Sequence, residues 1–417
     1  MAMPTTPLIR SFQHLADGLA DGPGDRPPGG RRTGGRTGRP PVVTLFSGGL
    51  DSSYLLHRLR DLGFGEVHAL SVELGEGEAE DDRRQIAERL GAELHVVDAR
   101  ETFAQEFVRP AIAAQAVYLD THPVSSTLSR PLIARVAVEL ARQVGAPVVL
   151  HTANRSQNSL RRLNGALGQL GFAGWYGSPY DLDPVDRGQK IQELKEDGLE
   201  ELGERTVSGD SNLWCREFES GVLDDPENHA VPEHMFRWSA VCHGMPGDTV
   251  EITFAEGVPT SVDGVRMPLT EVIDVLNRRA GAFGIGRYCG LEHLDDGSKV
   301  LEIREMPAAC LLLRSYRQVE SATLAAETVR EKMHLEQLWV REALEGRWFG
   351  ELRGAVQSFV DACAQAVTGS VTWALRPGAA ETRAVRADRP TYIRDREQWE
   401  RESIAAECAA YPDAAAG

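Results

Sequence analysis

Cysteine is scarce in this sequence and never paired. Positions 215, 242, 289, 310, 363 and 408 share no CxxC or CxxxxH spacing, so free thiols are expected in place of a disulfide framework or a cysteine-bound zinc. No apolar run reaches 18 residues, and no charged, apolar, small-residue leader pattern opens the chain. A soluble, cytoplasmic protein with no membrane partner is the expectation. An excess of basic charge is missing too: the formal net charge is −17 at pH 7, which makes nucleic acid a poor default partner. Neither GxxxxGK[ST] nor GxGxxG occurs, which sets aside the lysine-bearing P-loop and the dinucleotide fingerprint.

What is present is a junction. The apolar run Pro41-Val42-Val43-Thr44-Leu45-Phe46 breaks into Ser47-Gly48-Gly49-Leu50-Asp51-Ser52-Ser53 and then at once into a helical pattern with Leu55, Leu56 and Leu59 on one face. A strand that turns on glycines into a helix places unpaired backbone N–H groups and small hydroxyls where an anion can sit. A plain serine-glycine turn is the bland alternative, and Asp51 as a simple helix cap is another. SGGxDS after a strand resembles the pyrophosphate-binding loop of the N-type ATP pyrophosphatases. The resemblance implies that Ser47, Gly48, Gly49, Asp51, Ser52 and Ser53 surround ATP phosphates, with Asp51 orienting the loop or assisting Mg2+, and adenine near Ser71 and Thr152.

At 417 residues the chain exceeds one average core. Strand-like and helix-like segments alternate from residue 42 to His151, the rhythm of βαβ units on a parallel sheet. Residues 20–41, with five arginines among glycines and prolines, read as a flexible arm. We expect a flexible extension over 1–40, an ATP-binding α/β domain over 41–180, an α+β substrate domain over 181–345, and a C-terminal assembly segment and tail over 346–417. Helices are expected over Leu132–Val144, Leu269–Arg279, Thr323–Leu344 and Phe359–Val367.

Further along, TLSRPLIARVAVELARQVGA at 127–146, SGDSNLW at 208–214, FESGVLDDPEN at 218–228, ITFAEGVP at 252–259, GIGR at 284–287 and AVTGSV at 366–371 join the loop in one ordered series. From Val42 to about Val371 the chain resembles argininosuccinate synthase. The resemblance implies an adenine-nucleotide-hydrolase-like parallel sheet with helices, followed by a synthetase domain and a helical assembly segment in a homotetramer, for which the helix around 323–345 and the segment after Gly369 are the expected contacts. It also implies an AMP-forming ligase that uses ATP and Mg2+ to adenylate an acceptor oxygen, then lets an amine displace AMP. Among the residues it carries over, Asp51, Arg130 and Arg162 take catalytic roles, and Thr127, Arg130, Asn158, Arg162, Ser208 and Glu292 keep the donors and charges for amino-acid-like substrates. No dedicated protein metal site is expected, and His151 reads equally as a core histidine.

The series departs from the family pattern in the pocket. A tyrosine becomes His122, an aspartate-binding threonine becomes Asn154, an aspartic acid becomes Ser159, a serine becomes Glu217 and a tyrosine becomes Arg304. Two hydroxyls are thereby exchanged for opposite charges, and a negative charge is lost at 159. The expectation is a ligase for amino-acid-like partners with altered specificity. The alternatives are true citrulline–aspartate ligation, a non-catalytic ATP-binding paralogue and, more remotely, an RNA sulfur-transfer enzyme, which would want paired cysteines and a basic surface.

Overall fold

A computed structural model describes residues 8–18, 39–75, 80–203, 208–219, 221–242, 244–294 and 296–410. The arm expected over 20–41 therefore lies almost wholly outside the described residues. Residues 8–18, inside the stretch assigned to a flexible extension, instead form β1 (Leu8–Ile9) and α1 (Phe12–Gly18). Their Ile9, Phe12 and Leu15 are buried in the core, and that burial holds them in place.

The chain then alternates through β2 (Val42–Leu45), α2 (Leu50–Asp61), β3 (Val67–Glu73), α3 (Glu80–Arg89) and β4 (Glu93–Asp98). The helix α4 (Arg100–Phe103), a wide turn over Ala104–Val108 and α5 (Arg109–Ala113) follow. A short hairpin of β5 (Val117–Tyr118) and β6 (His122–Pro123) leads to α6 (Ser126–Val144), β7 (Val148–Leu150), α7 (Ser159–Gln169), β8 (Trp175–Gly177) and α8 (Arg187–Glu196). Six strands form one parallel sheet in the order β1-β8-β7-β2-β3-β4. Strand β2 is central and covered on both faces: Val43 packs with α6, and Val42 with Leu55 and Leu59 of α2. Leu194 of α8 shares the second of these cores.

Helix α6 begins at Ser126, six residues before the expected start at Leu132, and carries Pro131 in its second turn. Proline there removes only the hydrogen bond to the Thr127 carbonyl, so the helix runs through a residue that reads as a breaker.

The second half contains β9 (Ser208–Ser211), β10 (Arg216–Glu219), β11 (Asp248–Ala255), β12 (Val258–Val262), β13 (Val265–Arg266), α9 (Leu269–Gly281), β14 (Arg287–His293), β15 (Lys299–Glu305) and α10 (Pro307–Thr323). The remaining elements are α11 (Ala326–Leu344), α12 (Glu351–Ala364), β16 (Gly369–Arg376), β17 (Ala379–Ala387) and α13 (Arg396–Ala410). Two antiparallel sheets result, β14-β15-β10-β9 and β13-β12-β11-β16-β17.

Thr323 closes α10 and does not open the next helix, because Leu324 is extended between α10 and α11. Helix α11 buries its inner face in its own subunit. Lys332, fully buried, holds Glu320 of α10 at 2.9 Å and Glu336 at 2.6 Å, and Trp339 and Val340 join the main core. Helix α13 has no buried residue and exposes Trp399 and Ile404. Among the described residues no helix is long and apolar enough to cross a membrane.

Candidate active site

Sheet order places the site. The chain leaves β2 toward β3 and β4 on one side and returns to β7 and β8 on the other, so a crevice opens at the C-terminal end of β2. The serine-glycine loop occupies that end. Gly48 has φ +80°, a conformation that favours glycine, and Gly49 starts α2 with no side-chain cap. The first N–H groups of α2 are therefore available to an anion. Ser52 Oγ donates to the Gly49 carbonyl at 3.0 Å and lies 3.2 Å from Ser47 Oγ, which shapes the turn. Ser53 is fully buried, and its hydroxyl has no protein partner.

Asp51 does not cap α2. Its Oδ1 accepts a hydrogen bond from Lys190 Nζ of α8 at 2.7 Å, while its carbonyl accepts one from Tyr180 Oη at 2.9 Å. The aspartate thus ties the loop to α8 and sets a lysine beside the loop. Lys190 carried no sequence signal. Ser71, near the C-terminal end of β3, is buried and accepts from Arg83 at 2.5 Å; Thr152 sits half-buried in the loop after β7.

A second group of charges lies where the N-terminal turns of α6 and α7 meet the β14-β15-β10-β9 sheet. Arg162, buried on α7, donates to Ser126 Oγ at 2.8 Å and to Glu292 at 3.0 Å. Glu292 also lies 3.4 Å from Arg304, which is paired with Glu217 at 3.4 Å and donates to Glu302 at 3.0 Å. Glu217 and Arg304 are cross-strand neighbours, as are Tyr288 and Arg304. Arg130 on α6 donates to Ser159 Oγ at 3.0 Å and to Asp210 of β9 at 2.6 Å. Ser159 thus contributes a hydroxyl, and Asp210 supplies the carboxylate that balances Arg130.

Most of the other expected substrate residues join this group. His122 packs against Tyr288, the two rings tilted by 39° with centroids 4.6 Å apart. Asn158 donates to the His293 carbonyl at 2.8 Å and leaves its own buried oxygen unpartnered. Thr127 is buried in the first turn of α6. Asn154 is turned to its own loop, where its oxygen accepts from the Ser156 N–H at 3.0 Å and hydroxyl at 2.7 Å. Ser208 pairs with Glu219 in the sheet, but its side chain lies outside the described residues. His151 is a core histidine: Nε2 lies 2.9 Å from Asn164 Oδ1, and burial lowers its pKa to about 4.

Burial sets the protonation of this cluster. It raises Glu302 well above the usual carboxylate range despite the nearby Arg304. The same burial would raise Glu292, but a hydrogen bond from Glu302 and the charges of Arg162 and Arg304 hold it below that range. Glu302 is therefore the acid of the pair and Glu292 the carboxylate. Burial, with the charges of Glu217 and Glu292, pushes Glu219 up to about 7. His122 is lowered to about 3 by burial and by Arg304, so its imidazole is neutral. Asp210, Glu219 and Glu302 are members of the cluster that sequence reasoning missed, although the first two stand inside matched motifs and the third beside Arg304. Fixed guanidinium groups and helix N-termini suit carboxylate-bearing ligands. A carboxyl near 7 can exchange a proton at neutral pH.

The family model described as "Arginosuccinate synthase N-terminal HUP domain" matches residues 41–169, and that described as "Arginosuccinate synthase C-terminal domain" matches 207–409. The chain is 38% identical to the argininosuccinate synthase of Rubrobacter xylanophilus, covering 88% of this chain and 91% of that one. It is 34% identical to the Dictyoglomus thermophilum protein of the same name (81% and 85% covered) and 33% identical to that of Pyrococcus furiosus (84% and 86% covered). Family and loop together make this an ATP-using ligase that yields AMP and pyrophosphate. The chain belongs to the argininosuccinate synthase family.

Proposed function

We propose that the chain joins the ureido carbon of citrulline to the amine of aspartate. The names carried by its long-matching relatives support this pair over the modified pair that the pocket residues alone suggest. The observation that carries the reading is the convergence of Arg130, Arg162 and Glu292 on the N-terminal turns of α6 and α7. Those groups would hold carboxylates and an ammonium, while the uncapped start of α2 receives the phosphates. The acceptor oxygen attacks the α-phosphorus, and the bond to pyrophosphate breaks. The amine then forms the C–N bond, AMP departs, and the ammonium's proton passes to a base. Glu219 is the carboxyl poised to take it. Alignment of the reacting atoms and exclusion of water are the enzyme's main tasks. Mg2+ suits the oxygen donors of the phosphates and of half-exposed Asp51, and when bound would neutralise phosphate charge.

A second reading rests on Glu217 and Arg304. They place a buried ion pair where the family has hydroxyls, which favours a differently charged amino-acid-like acceptor. Pyrophosphate release from Mg2+-ATP separates the two. Release that requires both citrulline and aspartate supports the first reading, and release only with other amino-acid-like acceptors or amines supports the second. ATP binding without release across a broad panel would defeat both in favour of a non-catalytic role.

We also propose a homotetramer. The exposed Trp399 and Ile404 of α13 are its expected contacts, since the inner face of α11 is covered within the subunit. A monomer by light scattering at all concentrations would refute it.

A further inference from the structure

At the opposite end of the parallel sheet from the nucleotide loop, three side chains meet that the ligase reaction does not use. His68 stands near the start of β3, and Glu93 and His95 near the start of β4; the register pairs His68 with Glu93 and Leu70 with His95. Parallel pairing places all three on one face of the sheet. Their potential ligand atoms all lie within 4.8 Å of one another. His68 Nδ1 is 3.0 Å from His95 Nε2 and 3.5 Å from Glu93, and His95 Nε2 is 3.7 Å from the other Glu93 oxygen.

Four ligands about 2.0–2.1 Å from a tetrahedral zinc are separated from one another by about 3.3–3.4 Å. The observed separations bracket that edge length. The rear of the His68 ring faces a carboxylate that could close on it when a metal binds in front. His68 is 6% exposed, and its other ring nitrogen, Nε2, is buried with no hydrogen-bond partner. The nearest carboxylate to that nitrogen is Glu66, at 3.5 Å. A carboxylate behind a metal-bound histidine fixes the tautomer with the proton on the rear nitrogen, and leaves the front nitrogen as a ligand.

We propose that His68 Nδ1, His95 Nε2 and the Glu93 carboxylate bind a divalent transition metal of the zinc class, with Glu66 orienting His68 from behind and water in the fourth position. Two imidazoles with one carboxylate suit zinc and not Mg2+, which prefers oxygen ligands, so the site is chemically distinct from the metal that accompanies ATP. Its place in the fold gives it a structural role. Among the described residues strand β4 lies at the sheet edge with β3 as its only neighbour in that sheet, and the metal would clamp the two strands. Ser71 stands three positions beyond His68 on the same β3, so the clamp would also steady one side of the nucleotide crevice.

The test uses the full-length chain, stripped with a chelator and titrated with Zn2+ by calorimetry in the absence of ATP and Mg2+. About one equivalent should bind and raise the melting temperature. Co2+ in place of Zn2+ should give the intense visible absorption of a four-coordinate centre. His95→Gln, at the accessible edge, should abolish binding, and Glu66→Gln should weaken it about 10-fold or more. His334→Gln, an exposed histidine on α11, should leave binding unchanged. Cys289 and His229, 3.0 Å apart, are a competing soft pair. No stoichiometric uptake would overturn the proposal and leave a hydrogen-bonded imidazole pair. Uptake that survives His95→Gln or is lost with Cys289→Ser would overturn it as well.

Discussion

The two ends of the proposed reaction are built from opposite materials. The nucleotide loop uses backbone and hydroxyls: Gly48 in its left-handed turn, the uncapped start of α2, and Ser47 and Ser52 within 3.2 Å of each other. The acceptor region uses full charges, the buried Arg162 and Arg304 against Glu292 and Glu217, and the half-buried Arg130 against Asp210. A site made of backbone recognises the one feature common to all its substrates, a polyphosphate, and tolerates little change. A site made of side chains on six separate elements can be altered one residue at a time. The family's shared chemistry and this chain's departures are divided along that line.

The largest expected effect is at Arg304. Arg304→Met leaves Glu217 and Glu292 without their shared partner, and should cost about 3–5 kcal/mol of folding stability, read in a denaturant titration. A loss within experimental error would show that the network does not hold the pocket together. Next comes the loop. Gly48→Val imposes φ +80° on a β-branched residue at a cost of about 1–3 kcal/mol, and ATP binding should be lost. Gly49→Ala sharpens the point, because its Cβ would meet only Ser47 Oγ at an ordinary 3.4 Å. The fold should keep its stability while ATP affinity falls, and unchanged affinity would mean that phosphate does not approach there.

A smaller change is expected when the pocket is returned to the family's residues. The triple variant His122→Tyr, Glu217→Ser, Arg304→Tyr removes the buried pair as a unit, and should lower the citrulline KM about 10-fold, or about 1.4 kcal/mol, if those three positions tune the acceptor. An unchanged KM would assign them to packing alone.

The remaining effects are in pH. Glu219 has a pKa of about 7 in the fold and an ordinary one when unfolded. The native state therefore binds more protons in that window, and this group's contribution to stability falls as pH rises from about 4.5 to 7. His122 works in the opposite sense: its pKa of about 3 means that the native state binds fewer protons, so its contribution is lost as pH falls from about 6.5 to 3. Glu219→Gln should flatten the first slope and remove the limb of the rate profile near pH 7; an unaltered profile would exclude Glu219 as the base.

The loop was legible because its seven residues are contiguous and each has a local reason to be there. The parallel sheet was legible because its strands and helices alternate with clear periods. The start of α6 was not, since Pro131 reads as a boundary although it falls where only one hydrogen bond is lost. Lys190 was invisible because α8 reads as an ordinary solvated helix, and only the fold brings its ammonium to Asp51. In the sequence Glu217 and Arg304 were legible only as opposite charges in place of hydroxyls, because their partnership depends on the register of β10 against β15. Asn154 shows the limit of position-by-position transfer: it aligns with a ligand residue, yet its side chain closes its own turn.

The central claim is adenylation of an acceptor oxygen by ATP, and the most direct test follows that oxygen. Citrulline labelled with 18O in the ureido group is incubated with the chain, aspartate and Mg2+-ATP, and the AMP is analysed by mass spectrometry. The account predicts one 18O in AMP for each pyrophosphate released. Unlabelled AMP, or ADP as the nucleotide product, would contradict it.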